Sequence, residues 1–173
     1  VADHGMAPLP AANRVVLDDL VDISKIQLVT TGAVTSFSPK PGERKAVEKA
    51  FLSKPLPHMT CWKKTRIPAR FHYGRNPRVP AIVCLSETGW YTTTQAAKQK
   101  PSERDGKDGG AHGFDPYDPT MRAVFVAHGP SFKPGVTLPV FDNVDIYALL
   151  AKVTDVRPEK TDGSLKIVGQ ALR

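Results

Sequence analysis

The sequence has no long hydrophobic run. Its most apolar stretches, Ala81 to Leu85 and Ala123 to Ala127, are far shorter than the roughly 20 residues a helix needs to cross a bilayer, which excludes a membrane-spanning helix in this chain. Cysteine is scarce: Cys61 and Cys84 fit no Cys-x-x-Cys zinc pattern and leave open one disulfide or two buried thiols. The chain opens on Val1-Ala2 with no initiator methionine, no basic-then-apolar leader and no small-residue cleavage site, so it reads as cut from something larger, and compartment stays open. Acidic residues are nearly missing between Lys40 and Arg78, where eleven Lys and Arg face two Glu, whereas the remainder of the chain is slightly acidic.

Against these shortages stand 16 prolines and 13 glycines in 173 residues, too many for a helical bundle and too few for a disordered low-complexity chain. With 40% apolar residues there is material for a core, in one domain or one plus a small lobe, built of short elements and many turns. Trp62, Phe71 and Tyr73 are interleaved with the cations of 40–78, as a polyanion surface requires. A solvated lobe face explains the same charge. Without a helix-turn-helix, zinc-finger or RNA-recognition motif, sequence-specific nucleic-acid reading is not expected.

Val15 to Asp22 suits a short strand or one helical turn. Ile26 to Thr31 and Ala33 to Phe37 are β-branched on either side of Gly32, predicting a strand bent or bulged there. Glu43 to Leu52 places Ala46, Val47, Ala50 and Phe51 at helical spacing and is expected to be a helix. Met59 to Ile67 alternates as a half-exposed strand, and Ala81 to Leu85 with Trp90 to Thr94 reads as a hairpin about Thr88-Gly89. Gln95 to Gly110 has almost nothing to bury and reads as a mobile surface loop. Ala123 to Ala127 predicts a strand covered on both faces. Val144 to Thr154 predicts an amphipathic helix facing inward through Val144, Ile146, Tyr147, Leu149, Leu150 and Val153, with Asp142 or Asn143 as N-cap.

Two places can carry chemistry. Asp3-His4-Gly5-Met6 sets a carboxylate beside an imidazole, an oxygen-plus-nitrogen pair that suits zinc or another borderline divalent cation if the backbone leaves strand geometry, which the following glycine permits. A chance Asp-His dipeptide is the plainer alternative. Gly109-Gly110-Ala111-His112-Gly113 leaves the His112 imidazole uncrowded and lets the backbone approach a ligand, although a glycine-rich turn with an incidental histidine has the same pattern. His58, His72 and His128 are assigned structural or surface roles.

Taken in order, the blocks Asp3-His4-Gly5-Met6, Pro68-Ala69-Arg70-Phe71-His72-Tyr73, Gly89-Trp90, Gly110-Ala111-His112-Gly113-Phe114-Asp115, Met121 to Pro130 and Asn143-Val144-Asp145-Ile146-Tyr147 resemble the C-terminal part of the type I phosphodiesterase and nucleotide pyrophosphatase family, in the alkaline phosphatase superfamily. The resemblance implies an α/β fold: the C-terminal portion of an alkaline-phosphatase-like core with a small α+β lobe. Residues 1–12 would begin the metal-site segment, 13–94 form the lobe, 95–113 lead to the metal histidine, and 114–173 return to the core sheet and a packed helix. It implies a two-zinc site in which Asp3 and His4 bind one zinc and His112 the other. The nucleophilic threonine and the remaining ligands precede the Asp-His-Gly-Met block in the family, so no residue of this chain is assigned a catalytic role and the isolated chain is expected to be inactive. A phosphodiester or nucleotide substrate and a periplasmic or extracellular parent are implied as well. Apolar faces left open are expected to be exposed or covered by self-association. The competing reading is a polyanion-binding or interaction module without metal; within the superfamily, a phosphonate hydrolase or phosphotransferase also remains open.

Overall fold

The computed structural model describes residues 1–100 and 106–173. They form two compact units, His4–Arg122 and the smaller Val1–Asp3 with Ala123–Arg173.

The larger unit holds β1 (Ala7–Leu9), β2 (Arg14–Val16), β3 (Ile26–Thr30), β4 (Val34–Pro39), α1 (Arg44–Leu52), β5 (Met59–Lys63), β6 (Ile82–Ser86), β7 (Tyr91–Thr93), the single-turn α2 (Gln95–Lys98) and β8 (Gly109–Ala111). Its centre is an antiparallel sheet of order β3-β4-β6-β5. Helix α1 lies on one face, where Val47 and Phe51 meet Phe37, Met59, Ile82 and Cys84 in one buried cluster. Residues four apart share a helix face, so Val47 and Phe51 carry this contact. Burying each stabilises the unit by about 1.5–3 kcal/mol. Ala46, expected on the same stripe, is exposed. Cys61 and Cys84 stand opposite each other in the β5–β6 register and are disulfide-bonded.

Several elements differ from the sequence expectation. Residues 26–37 form a hairpin rather than one bent strand, because Gly32 adopts φ +116° and turns the chain back on itself. An irregularity does occur, but it lies between Leu28 and Thr30. The hairpin expected from 81–94 does not form. Glu87 N–H donates to His58 O, Asn13 Nδ2 to Gly89 O and Tyr91 N–H to Asn13 O, and these bonds carry β7 away from β6 to pair in parallel with β2. Residues 17–19 are a 3-10 turn after β2, and β5 ends at Lys63 in another over Lys64–Arg66. The loop expected over 95–110 begins as α2, capped by Thr94 Oγ1 accepting from Ala97 N–H at 3.1 Å, and ends in β8; its residues 101–105 lie outside the described residues.

A polar cluster is buried where the hairpin turn meets β7. Thr35 and Thr92 share a hydroxyl hydrogen bond, Gly32 N–H donates to Thr92 Oγ1 at 2.9 Å, and Ser86 Oγ donates to Gly32 O at 3.1 Å. Every group there is partnered, which is the condition for burying it.

In the smaller unit α3 (Asp145–Val153) packs against the 3-10 turn Val168–Ala171, with Leu149 and Ala151 of α3 and Val168 and Ala171 of the turn buried. Neither Asp142 nor Asn143 caps α3; Val144 holds that position without a side-chain bond, and Asp145 Oδ1 instead accepts from Ser164 N–H at 2.7 Å. Val144, Tyr147, Leu150 and Val153 point outward. Ala123 to Ala127 is not a strand: it has no regular secondary structure and is bonded to the rest of its unit by Ala2 N–H to Val124 O, with Val124 and Val126 68% and 76% exposed. Its composition suits a buried strand, but among the described residues no ladder partner flanks it.

Candidate metal centre

Strands β1 and β8 pair antiparallel with Ala7 opposite Ala111. Just beyond that register the chain entering β1 passes the chain leaving β8, and His4 and His112 meet there. Their rings stack with centroids 3.6 Å apart and planes 14° from parallel. His4 is half-buried and His112 exposed.

Local bonding orients the His4 imidazole. His4 Nδ1 lies 2.8 Å from Gly5 O. A carbonyl can only accept, so Nδ1 donates to Gly5 O and ligation by His4 would fall to Nε2, the usual way a ligating histidine is held. Gly5 is required by close approach: a Cβ there would stand 2.0 Å from Thr120 O and 2.7 Å from Arg122 O, while its N–H donates to Met121 O at 2.9 Å. On the other side His112 precedes Gly113 at φ +88° and the buried Phe114, whose ring packs against Tyr91 at 5.8 Å. Tyr91 Oη donates to His112 O at 3.4 Å.

Imidazole lone pairs lie in the ring plane. Two nearly parallel rings 3.6 Å apart therefore direct their lone pairs along separate lines, an arrangement suited to two neighbouring ions rather than one. Ions in two-metal sites stand about 3.5–4 Å apart. Asp3, exposed, is the chain neighbour of His4 and belongs to the smaller unit. In kind, these donors fit zinc. In number they fall short of the three or four protein ligands of a zinc site, and no group of three or more His, Cys, Asp or Glu that could hold a metal occurs among the described residues.

His58 and His72 have local settings of their own. His58, at φ +54°, stacks on Trp90 at 3.5 Å with Nδ1 2.8 Å from Glu87 Oε2; His72, at φ +48°, ends the 3-10 turn Ala69–Phe71. Sequence reasoning did not foresee that Arg70 and Asp115 form a bidentate pair, with Nη1 2.8 Å from Oδ1 and Nη2 bonded to Oδ2. A signal existed: each stands in one of the blocks that carry the family resemblance. The Arg70 hydrogen bonds hold the Asp115 carboxyl below the usual carboxylate range, and Tyr117 N–H adds to the effect. Of the cations in 40–78, Arg44 and Lys63 both engage Glu48, at 2.9 and 2.7 Å, so part of that charge is matched within the fold.

The fold is alkaline-phosphatase-like. The chain superposes on murine ectonucleotide pyrophosphatase/phosphodiesterase 5 with a TM-score of 0.87 at 30% identity, covering 99% of this chain and 44% of the other. It belongs to the type I phosphodiesterase/nucleotide pyrophosphatase family, whose sequence profile matches residues 1–115. An inactive variant of the same murine protein, solved in complex with AMP, superposes with a TM-score of 0.86 at 31% identity, again over 99% of this chain and 44% of that one. Among curated relatives, the bis(5'-adenosyl)-triphosphatase enpp4 of Mus musculus is 30% identical over 95% of this chain and 34% of its own length. Ectonucleotide pyrophosphatase/phosphodiesterase family member 7 of Mus musculus is 30% identical over 99% and 39%. The chain thus spans little more than a third of the curated relatives it matches.

Proposed function

We propose that this chain supplies part of a two-zinc centre that hydrolyses phosphodiester or pyrophosphate bonds of nucleotide-like substrates, with Asp3 and His4 ligating one zinc and His112 the other. The observation that carries the reading is the stacked His4–His112 pair with its two separate lone-pair directions. Bound zinc supplies Lewis-acid stabilisation of charge on the transferring phosphoryl group. The chain's own contribution is to hold the imidazoles: Gly5 O fixes the His4 tautomer, and the β1–β8 register sets the two rings side by side. A nucleotide substrate is favoured by the AMP complex of the murine relative and the activity named for the enpp4 relative. The 173 residues alone are too few in ligands to turn over. Export of the parent is favoured by the Cys61–Cys84 disulfide, a bond that persists in oxidising compartments, and by the ectonucleotide names of relatives.

The test is NMR of the five histidine imidazoles during zinc titration. Selective shifts at His4 and His112 are the expected result, with the His4 response kept in His112→Ala and the His112 response kept in His4→Ala, as separate ions require. Equal response of all five, or none, refutes the metal assignment. Zinc-dependent hydrolysis of bis(4-nitrophenyl) phosphate by the purified chain, lost in His112→Ala, refutes the inactivity of the chain alone.

A further inference from the structure

The four-stranded sheet has a second face. Met59, Ile82 and Cys84 point toward α1, so strand alternation turns Trp62 and Val83, paired across β5 and β6, to the opposite side. Two segments cover that side, one through Phe71 and Tyr73 and the other through Phe114 and Pro116. A cavity of about 380 Å³ remains between sheet and cover. Small-molecule sites typically run from about 300 to 1,000 Å³.

The walls combine four aromatic residues, Trp62, Phe71, Tyr73 and Phe114, with aliphatic ones, and none of the lining side chains is charged. Trp62 and Phe71 rings stand 6.0 Å apart, tilted by 55°, leaving ring faces and edges for a further ring to meet. Arg70 ties the two covering segments together. Its guanidinium binds both Asp115 oxygens and lies 4.0 Å from the Phe71 ring centroid, and its backbone carbonyl accepts from Tyr117 Oη at 3.3 Å. The positive charge nearest the cover is therefore already matched. A charged ligand would lose its strong hydration without gaining a charged partner, whereas an uncharged ring gives up far less. The Tyr73 hydroxyl, on a half-exposed residue, offers a polar handle.

We infer that this cavity is a binding site for a small uncharged aromatic group, up to the size of two fused rings, seated against Trp62 and Phe71. The site is independent of the metal reading, although its wall at 113–116 continues directly from His112.

Calorimetric titration of the metal-free chain with 1-naphthol, and with 1-naphthoate as its charged counterpart, tests the assignment. Saturable naphthol binding at least tenfold tighter than naphthoate is expected. Val83→Phe, which fills the cavity from the central strand, is expected to abolish it. Phe71→Leu, which keeps bulk and removes the ring, is expected to weaken it several-fold and serves if the Phe variant does not fold. No saturable binding, equal binding of the two probes, or unchanged binding in both variants overturns the inference. The histidine titration with zinc is a separate readout, so failure of either assignment is distinguishable from failure of the other.

Discussion

Reducing the Cys61–Cys84 disulfide is expected to cost the larger unit a substantial part of its stability. The two cysteines are 23 residues apart in sequence, so the bond closes a loop of that size in the unfolded chain. Loop-closure entropy for such a loop corresponds to about 3.4 kcal/mol at 25 °C. With a urea dependence of about 2 kcal/mol per molar, the unfolding midpoint should fall by roughly 1.7 M. Both tryptophans, Trp62 and Trp90, lie within His4–Arg122, so their emission follows this unit alone. Cys84 is fully buried, which shields the bond in the native state; reduction belongs in denaturant, followed by refolding under reductant. Oxidised and reduced curves should then be compared at equal protein concentration. Midpoints within about 0.3 M of each other would refute the entropic argument, and two free thiols by mass spectrometry of the untreated protein would refute the bond itself.

Gly5→Ala places a methyl group 2.0 Å from a backbone oxygen, so the 120–122 segment must move. A loss of about 1–3 kcal/mol is expected in thermal or urea unfolding, together with a change in the His4 imidazole resonances, and an unperturbed variant would show that the close approach is not required. Asp115→Asn tests the latch to Arg70. The folded-state pKa of Asp115 is depressed, chiefly by the Arg70 hydrogen bonds, so its contribution is present at neutral pH and is lost as pH falls below about 4 toward the depressed value. The variant should be slightly less stable at pH 7 and show a shallower loss of Tm on the acid side; parallel Tm curves from pH 2 to 7 would refute this. Asp118, held low by Thr88 and Thr120, accounts for part of the slope that remains.

What could be read from the sequence was whatever depends on near neighbours. Helix α1 was legible because Val47 and Phe51 recur at helical spacing before the Pro55 and Pro57 stop, and the family was legible because its motifs sit in ordered blocks, whereas the stacking of His4 on His112 was not foreseen. Nor was hairpin topology. Local composition at 81–94 satisfied a hairpin, yet long-range bonds from Asn13 and His58 decide where β7 pairs. The Gly32 turn was misjudged in the opposite direction: one glycine at φ +116° separates a bent strand from two antiparallel ones, and residue types alone do not choose between them.

Residues 123–127 make the same point most sharply. Val124, Phe125 and Val126 have the residue types of a buried parallel strand, and nothing within the segment opposes that conformation. A strand, however, is defined by hydrogen bonds to neighbours, and the bond of Val124 O to Ala2 N–H does not make a ladder. With Val124 and Val126 left facing solvent, the segment keeps an apolar edge that costs free energy until it is covered. The outward side chains of α3, Tyr147 and Leu150 among them, add to the exposed apolar surface of the same unit. Composition thus records the environment for which the segment is suited, and the pairing within 173 residues records how much of that environment the chain supplies by itself.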